Sequence, residues 1–113
     1  MLRNVYNFAV IRAAYMRTRK EYIDLISQKA KYLKEEFGVR SLRLFGSVAR
    51  NEQRENSDVD LCVDMPITFR GVIGLQQYLE DELACQVDLV CMRDKMNPYL
   101  KQQIEKDGIY IIR

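Results

Sequence analysis

Residues 44–64 constrain this chain more than any other stretch, because they read LFGSVARNEQRENSDVDLCVD. An apolar run ends in Gly46 and Ser47, and after ten intervening residues Asp58 and Asp60 flank a valine. Glycine has no Cβ to block an anion, while a hydroxyl and backbone N–H groups can donate to phosphate. Alternate side chains of a strand share one face, so Asp58 and Asp60 project the same way, with Cα atoms roughly 6.6 Å apart. The pattern predicts a metal-nucleotide site at the edge of a small sheet.

A third carboxylate follows in a second apolar run, QVDLVC. Asp88 alternates with Val87 and Leu89, so it leaves a strand on the face opposite to theirs. A carboxylate within an apolar run is costly to bury unless a cation meets it. Asp88 is therefore the natural third acid of the site, as a metal ligand, a proton acceptor or both.

Composition narrows the chemistry that the chain can perform. Its 113 residues, 48% of them hydrophobic and 30% charged, suit one ordinary folded domain with one core. Histidine is absent, which excludes histidine-based acid–base or nucleophilic catalysis. Catalysis must then use carboxylates and a metal ion.

The cysteines and the apolar runs indicate where such a protein works. Cys62, Cys85 and Cys91 lack CxxC spacing and histidine neighbours, so we interpret them as reduced, small apolar residues rather than zinc ligands or disulfides. No apolar run approaches the roughly 20 residues of a transmembrane helix. We therefore expect a cytoplasmic protein that does not bind membranes.

Charge is unevenly distributed along the chain. The net charge is +2, yet residues 1–20 hold five basic residues and no acid, which leaves about −3 for the rest. A body of that sign does not predict direct nucleic-acid binding. We interpret residues 1–17 as an N-terminal extension, either loosely ordered or partner-binding, and residues 18–113 as the domain. The basic segment 12–20 is a candidate for contact with a partner.

Hydrophobic periodicity predicts helices and strands in alternation. Thr18 and Glu21 form a capping-box pattern, and Gly38 marks the end of the helix that they open. The predicted elements are a helix over 18–37, a strand over 39–45, a helical turn over 47–50, a loop over 51–57, a strand over 58–64, a helix over 68–84, a strand over 86–92, a helix over 97–107 and a strand over 109–112. The expected fold is α/β (α+β), with a small mixed sheet of about four strands and helices packed on one side.

These motifs resemble the minimal nucleotidyltransferase (MNT) domains of the DNA polymerase β-like nucleotidyltransferase superfamily. The resemblance covers about residues 22–113 and rests on GSVAR, its spacing to SDVDL, and the later VDLV. Many relatives have glycine where this chain has Asn51, and asparagine tolerates positive φ better than most residues.

The resemblance implies an enzyme that transfers a nucleoside monophosphate from a nucleoside triphosphate. Asp58, Asp60 and Asp88 would be catalytic and would hold Mg²⁺, with two ions expected. Stand-alone MNT domains of this length resemble antitoxins paired with HEPN-domain toxins. The resemblance thus implies ATP as substrate, a tyrosine of a cognate HEPN toxin as acceptor of AMP, and a hetero-oligomer with that toxin.

The resemblance also assigns the nucleotide-binding residues. Gly46 and Ser47 would hold the β and γ phosphates. Arg50 would either contact a phosphate or pair with Glu52 or a surface acid.

Two other functions remain open from the sequence. The domain could be a non-catalytic antitoxin that neutralises its partner by occlusion. It could also modify a small molecule, as the aminoglycoside nucleotidyltransferases do, although the chain is short for a second, substrate-binding domain.

Overall fold

The computed structural model describes residues 17–54 and 57–113. The elements in chain order are α1 (Arg19–Ser27), α2 (Ala30–Phe37), β1 (Ser41–Phe45), α3 (Gly46–Ala49), β2 (Val59–Asp64), α4 (Phe69–Leu83), β3 (Val87–Cys91), α5 (Pro98–Asp107) and β4 (Ile109–Ile112). None of these helices is long and apolar enough to cross a bilayer. The expectations for residues 1–16 lie outside the described residues.

One mixed sheet carries the fold, with strand order β3-β2-β1-β4. β1 is antiparallel to both β2 and β4, whereas β2 and β3 are parallel. A parallel pair needs a crossover connection, and α4 supplies it between β2 and β3. The predicted four-stranded mixed sheet is confirmed.

The main core lies between one face of the sheet and α1, α2 and α4. The strands contribute alternate aliphatic residues that are fully buried, as the alternation in the sequence predicts: Leu42, Leu44, Val59, Leu61 and Val63. The helices contribute Tyr22, Ile26, Leu33, Leu75, Leu79 and Leu83. This packing fixes the register of β2, and hence the face on which its acids emerge.

A smaller core covers part of the opposite face of the sheet. Ile104 of α5 packs there with Phe45 and Cys62, and Leu100 lies against the same cluster. The expectation of helices on one side thus holds for α1, α2 and α4, while α5 adds a helix on the other side.

The predicted helix over 18–37 is two helices rather than one. Lys29, with φ −98° and ψ 4°, leaves the helical conformation between α1 and α2. The Lys29 N–H donates to the Ile26 carbonyl, a tightened turn, and the Leu33 N–H donates back to the Lys29 carbonyl. Because only one residue departs, Ile26 and Leu33 remain on the same buried face, and the hydrophobic period gives no sign of the break.

Local signals in the sequence place several chain reversals correctly. The capping box is present, since Thr18 Oγ1 accepts from the Glu21 N–H at 3.2 Å and Glu21 Oε1 accepts from the Thr18 N–H at 2.9 Å. Gly38 is left-handed at φ +70°, and Asn51 has φ +59°. Asparagine at position 51 therefore performs the turn for which many relatives use glycine.

The described part of the basic segment binds to the chain itself. The Arg17 guanidinium donates to the Leu83 carbonyl, and that of Arg19 donates to the Ala49 carbonyl at 2.9 Å. Lys20 pairs with Asp24 one helical turn away. Arg17 and Arg19 thus attach the start of α1 to the domain, while Lys20 remains exposed.

The three cysteines are buried thiols, and none forms a disulfide. Burial raises the pKa of Cys62 and of Cys91, so both remain protonated at neutral pH. Their predicted use as small apolar residues is confirmed.

Replacing Thr18 by alanine should destabilise the fold, because two backbone N–H groups at the start of α1 lose their capping arrangement. We expect a loss of about 1 kcal/mol in the free energy of unfolding and a fall of about 4 °C in Tm. Urea denaturation would measure it. Ser27→Ala, at the exposed end of the same helix, is the control and should change stability by less than about 0.5 kcal/mol. Equal stabilities of Thr18→Ala and Ser27→Ala would contradict the capping argument.

Candidate active site

Two of the predicted acids meet across the parallel strand pair. Asp60 of β2 is in register with Asp88 of β3, and their side chains are within hydrogen-bond contact. Their neighbours Val59 and Leu61 are fully buried on the other face. Asp60 is partly buried and Asp88 is exposed. The prediction that Asp88 emerges on the same face as Asp60 is therefore confirmed.

The site lies partly at the edge of the sheet. β2 is an inner strand, and β3 is an outer one. The predicted edge position is thus correct for Asp88 and wrong for Asp60. The sequence shows strands but not their order in the sheet, which is set by long-range pairing.

The negative charge gathered here changes the acidity of Asp60. Its pKa rises from 3.8 to about 6, first because burial disfavours the ionised form. The charges of Asp88 and Asp58 and the hydrogen bond with Asp88 raise it further, while the nearby Arg50 lowers it. At neutral pH the site holds excess negative charge that a bound cation would stabilise.

Asp58 lies beside this pair rather than in the strand. β2 begins at Val59, one residue after Asp58, so the predicted strand start at 58 is one residue early. Asp58 is exposed, and its charge acts on Asp60. Within residues 17–54 and 57–113, no three His, Cys, Asp or Glu side chains are gathered into a ready-made metal cluster. The arrangement is a contacting Asp60–Asp88 pair with Asp58 adjacent.

Gly46 lies directly against the Asp60 carboxylate. Phe45 pairs with Asp60 across β1 and β2, so the next residue turns directly over the Asp60 side chain. Gly46 has φ +74°, and a Cβ there would lie 2.2 Å from Asp60 Oδ2 and 2.9 Å from its Cγ. Both the left-handed backbone and this close approach require glycine. Ser47 follows in the first turn of α3, partly exposed.

Arg50 is held by two acids. Its guanidinium donates to Glu52 Oε1 at 2.7 Å and to Asp107 Oδ2 at 2.8 Å. Both hydrogen bonds raise the pKa of Arg50. Of the two roles left open by the sequence, the structure shows the pairing with acids. The charge of Arg50 nevertheless reaches Asp60 and lowers its pKa.

Asp107 is a neighbour of the site that sequence reasoning missed. It is the last residue of α5, and its side chain is only 8% exposed. Nothing in its local sequence distinguishes it from the other acids of a solvated helix. Its contact with Arg50 depends on α5 packing across the sheet, which no local pattern specifies.

The chemistry available here is that of hard oxygen donors beside an open backbone turn. Carboxylates with no nitrogen or sulfur ligands among them suit Mg²⁺. The missing Cβ of Gly46 lets the Asp60 carboxylate lie against the backbone turn, and the hydroxyl of the partly exposed Ser47 that follows can donate to an anion beside it. The arrangement fits a metal-bound phosphate ester.

Comparison with known proteins agrees with this chemistry. The sequence profile of the family described as nucleotidyltransferase domain matches residues 26–111. A Methanocaldococcus jannaschii protein, named as an inferred protein adenylyltransferase, is 44% identical over 98 residues, which cover 85% of this chain and 100% of the relative. The protein adenylyltransferase MntA of Thermococcus cleftensis is 35% identical over 99 residues, 85% of this chain and 98% of that protein.

Solved structures show the same fold. A crystal structure of a toxin–antitoxin pair with AMP-PNP aligns with a TM-score of 0.63 and 28% identity, over 75% of this chain and 71% of that one. A tri-AMPylated Shewanella oneidensis HEPN toxin in complex with an MNT antitoxin aligns with a TM-score of 0.58 and 25% identity, over 79% and 71%. The chain therefore belongs to the nucleotidyltransferase family, as an enzyme of nucleotidyltransferase type homologous to the MntA protein adenylyltransferases.

Proposed function

We propose that this protein is a Mg²⁺-dependent adenylyltransferase that moves AMP from ATP to a tyrosine hydroxyl of a cognate HEPN-type toxin, and so acts as an antitoxin. The observation that carries the proposal is the in-register contact of Asp60 with Asp88, closed on one side by Gly46. Relatives that are named as protein adenylyltransferases support the chemistry. One similar structure is a toxin–antitoxin pair with AMP-PNP, which supports ATP as the substrate. Another contains an AMPylated HEPN toxin, which supports such a toxin as the partner.

The residues present fit the cation. Asp58, Asp60 and Asp88 supply only carboxylate oxygens, and the raised pKa of Asp60 reflects crowded negative charge. These three acids would hold Mg²⁺, with two ions as the proposed number. Bound there, the metal would neutralise the triphosphate and favour ionisation of the attacking hydroxyl.

The chain's own groups account for the other parts of the reaction. The acceptor oxygen forms a bond to the α-phosphorus of ATP, the bond from that phosphorus to the bridging oxygen breaks, and pyrophosphate leaves with the electron pair. Asp88, the exposed member of the acid pair, accepts the hydroxyl proton or would be a ligand of the metal ion. Gly46 and Ser47 hold the β and γ phosphates. Such a transfer requires mainly positioning and charge neutralisation.

Catalysis and occlusion make different predictions for the acid variants. With labelled ATP, Mg²⁺ and the protein encoded by the neighbouring gene, the wild type should label that protein. Asp58→Asn and Asp60→Asn should reduce labelling by about 100-fold or more, since even groups that only support a metal ligand contribute about 10- to 100-fold. Protection of cells from the toxin should fall in parallel.

Asp64→Asn is the matched control for these variants. Asp64 lies on the same strand but pairs with Arg40 at 2.9 Å, away from the acid pair. Its labelling activity should equal that of the wild type. If Asp60→Asn still protected cells fully while labelling was lost, the antitoxin would act by occlusion.

The acidity of Asp60 predicts a pH-dependent stability. Because folding raises the pKa of Asp60 from 3.8 to about 6, its protonated form favours the folded state. That contribution is complete below about pH 4 and is lost as the pH rises through about 6. In EDTA at about pH 7, Asp60→Asn should therefore raise the free energy of unfolding by about 1–2 kcal/mol, less than the full shift because the side chain is partly exposed and screened.

Mg²⁺ should make the wild type more stable than Asp60→Asn. Above pH 6 it should stabilise the wild type against urea and stabilise Asp60→Asn far less, because the variant lacks a ligand charge. Urea titrations in EDTA and in Mg²⁺, on either side of pH 6, would measure both effects. Equal responses of the wild type and Asp60→Asn to Mg²⁺ would contradict the assignment of Asp60 as a ligand.

Gly46→Ala should impair transfer specifically. Both Gly46→Ala and the control Gly38→Ala place a Cβ on a left-handed residue, which costs each about 1 kcal/mol of stability, and Gly46→Ala should lose more because the Asp60 carboxylate must shift. Only at Gly46 does that Cβ meet the Asp60 carboxylate, whereas at Gly38 it meets the Pro66 ring at 3.2 Å. Labelling should fall by at least about tenfold for Gly46→Ala and be unchanged for Gly38→Ala. Equal activity of the two variants would refute this role of Gly46.

A further inference from the structure

Residues 17–54 and 57–113 cover one edge of the sheet only in part. β3 is the outer strand, and it pairs with β2 through alternate backbone groups, as shown by Val59 N–H donating to the Gln86 carbonyl and Met92 N–H donating to the Val63 carbonyl. The period of two then turns the N–H and C=O groups of the odd-numbered residues of β3 away from β2. Those residues are Val87, Leu89 and Cys91.

Helix α4 satisfies the first of these three residues and no more. The Gln76 side-chain amide donates to the Val87 carbonyl at 2.9 Å, and the Val87 N–H donates to Glu80 Oε2 at 3.1 Å. For Leu89 and Cys91, the described part of the chain provides no partner on that side. The open portion of the edge is therefore short and defined at one end by α4.

Exposed apolar side chains stand beside this open portion. Phe69 is 82% exposed, Ile67 57% and Ile73 49%. With Leu89 and Cys91 they line a cavity of about 420 Å³ between the start of α4 and β3. Unpaired strand edges next to contiguous exposed apolar residues are features of peptide-docking sites that add a strand to a sheet.

The charges around the cavity indicate which kind of molecule it would bind. Arg93 is the only charged residue among the described residues that line it, and its charge acts on Cys91. Arg70, next to Phe69, is also exposed. Two copies of this chain joined here would bring their arginines into one interface with no acid lining the cavity to meet them. An apolar segment of another protein with acidic flanks complements the surface better.

We propose that the β3 edge at Leu89 and Cys91, with Ile67, Phe69 and Ile73, docks an extended apolar, acidic-flanked segment of the partner toxin by strand addition. This inference rests on the proposed function for the identity of the partner. Asp88 lies on the same strand, so the docked segment extends the sheet next to the candidate active site.

Amide exchange on the full chain, free and in complex with the neighbouring-gene toxin, tests the backbone contact. The Leu89 and Cys91 amides should exchange at least about tenfold more slowly in the complex, because they become donors to the added strand. The Asp88 and Val90 amides, which face β2, serve as internal controls and should change little. A complex in which Leu89 and Cys91 exchange as in the free chain would overturn the proposal, and so would failure of the two proteins to associate.

Side-chain variants test the same surface independently. Phe69→Lys should weaken toxin binding by about 10- to 100-fold, as loss of a central aromatic contact does. Arg93→Glu should weaken it as well and reverse its salt dependence. Tyr99→Lys, which removes from α5 an aromatic residue that is 70% exposed, is the control and should bind as the wild type does. Wild-type affinity of Phe69→Lys would overturn the proposal, as would a dimer of the free chain that Phe69→Lys dissociates.

AMP transfer measured on the same samples separates this proposal from the proposed function. Phe69→Lys should raise the KM for the toxin and leave kcat unchanged, because it alters docking and not the acids. Protected amides without AMP transfer would support the docking surface and refute the enzymatic function. AMP transfer that Phe69→Lys leaves unchanged would support the enzymatic function and refute the docking surface.

Discussion

The parallel, in-register pairing of β2 with β3 is the constraint on which the rest of the structure depends. All other pairings in the described sheet are antiparallel, so this one alone requires a crossover, and α4 provides it. In making the crossover, α4 delivers Leu75, Leu79 and Leu83 to the main core. Residues that face each other in a parallel pair lie on one side of the sheet, which brings Asp60 against Asp88. Packing and site assembly thus arise from the same topological step.

Signals from residues close together in the sequence predicted much of this structure. The capping box at Thr18 and the left-handed Gly38 involve residues within one turn of each other, so their signals are complete in the sequence. The alternation in VDLCVD predicts the buried and acid-bearing faces of β2 because burial follows the two-residue period of a strand. For the same reason the sequence predicts that Asp60 and Asp88 each leave the apolar face, and the cost of burying an unpaired acid made Asp88 the expected third acid of the site.

What could not be predicted depends on contacts between distant segments. The interruption at Lys29 leaves the hydrophobic stripe intact, so periodicity cannot register it. The pairing of Arg50 with Asp107 requires α5 to lie across the second face of the sheet, where Ile104 covers Cys62. The close approach of Gly46 to Asp60 follows from the β1–β2 register. Each of these follows from strand order and helix placement, which a single sequence does not specify.

The strand that carries Asp88 is hydrogen-bonded differently on its two sides. Among the described residues this strand has a neighbouring strand on one side only, and on the other side Gln76 and Glu80 bind both backbone groups of Val87, the residue before Asp88. At this one residue, side chains of α4 make the hydrogen bonds that a further strand would make. Beyond Val87, the described part of the chain holds the β3 backbone from the β2 side alone. The position of Asp88 is thus fixed by its pairing with β2 and, through the preceding residue, by two side chains of α4.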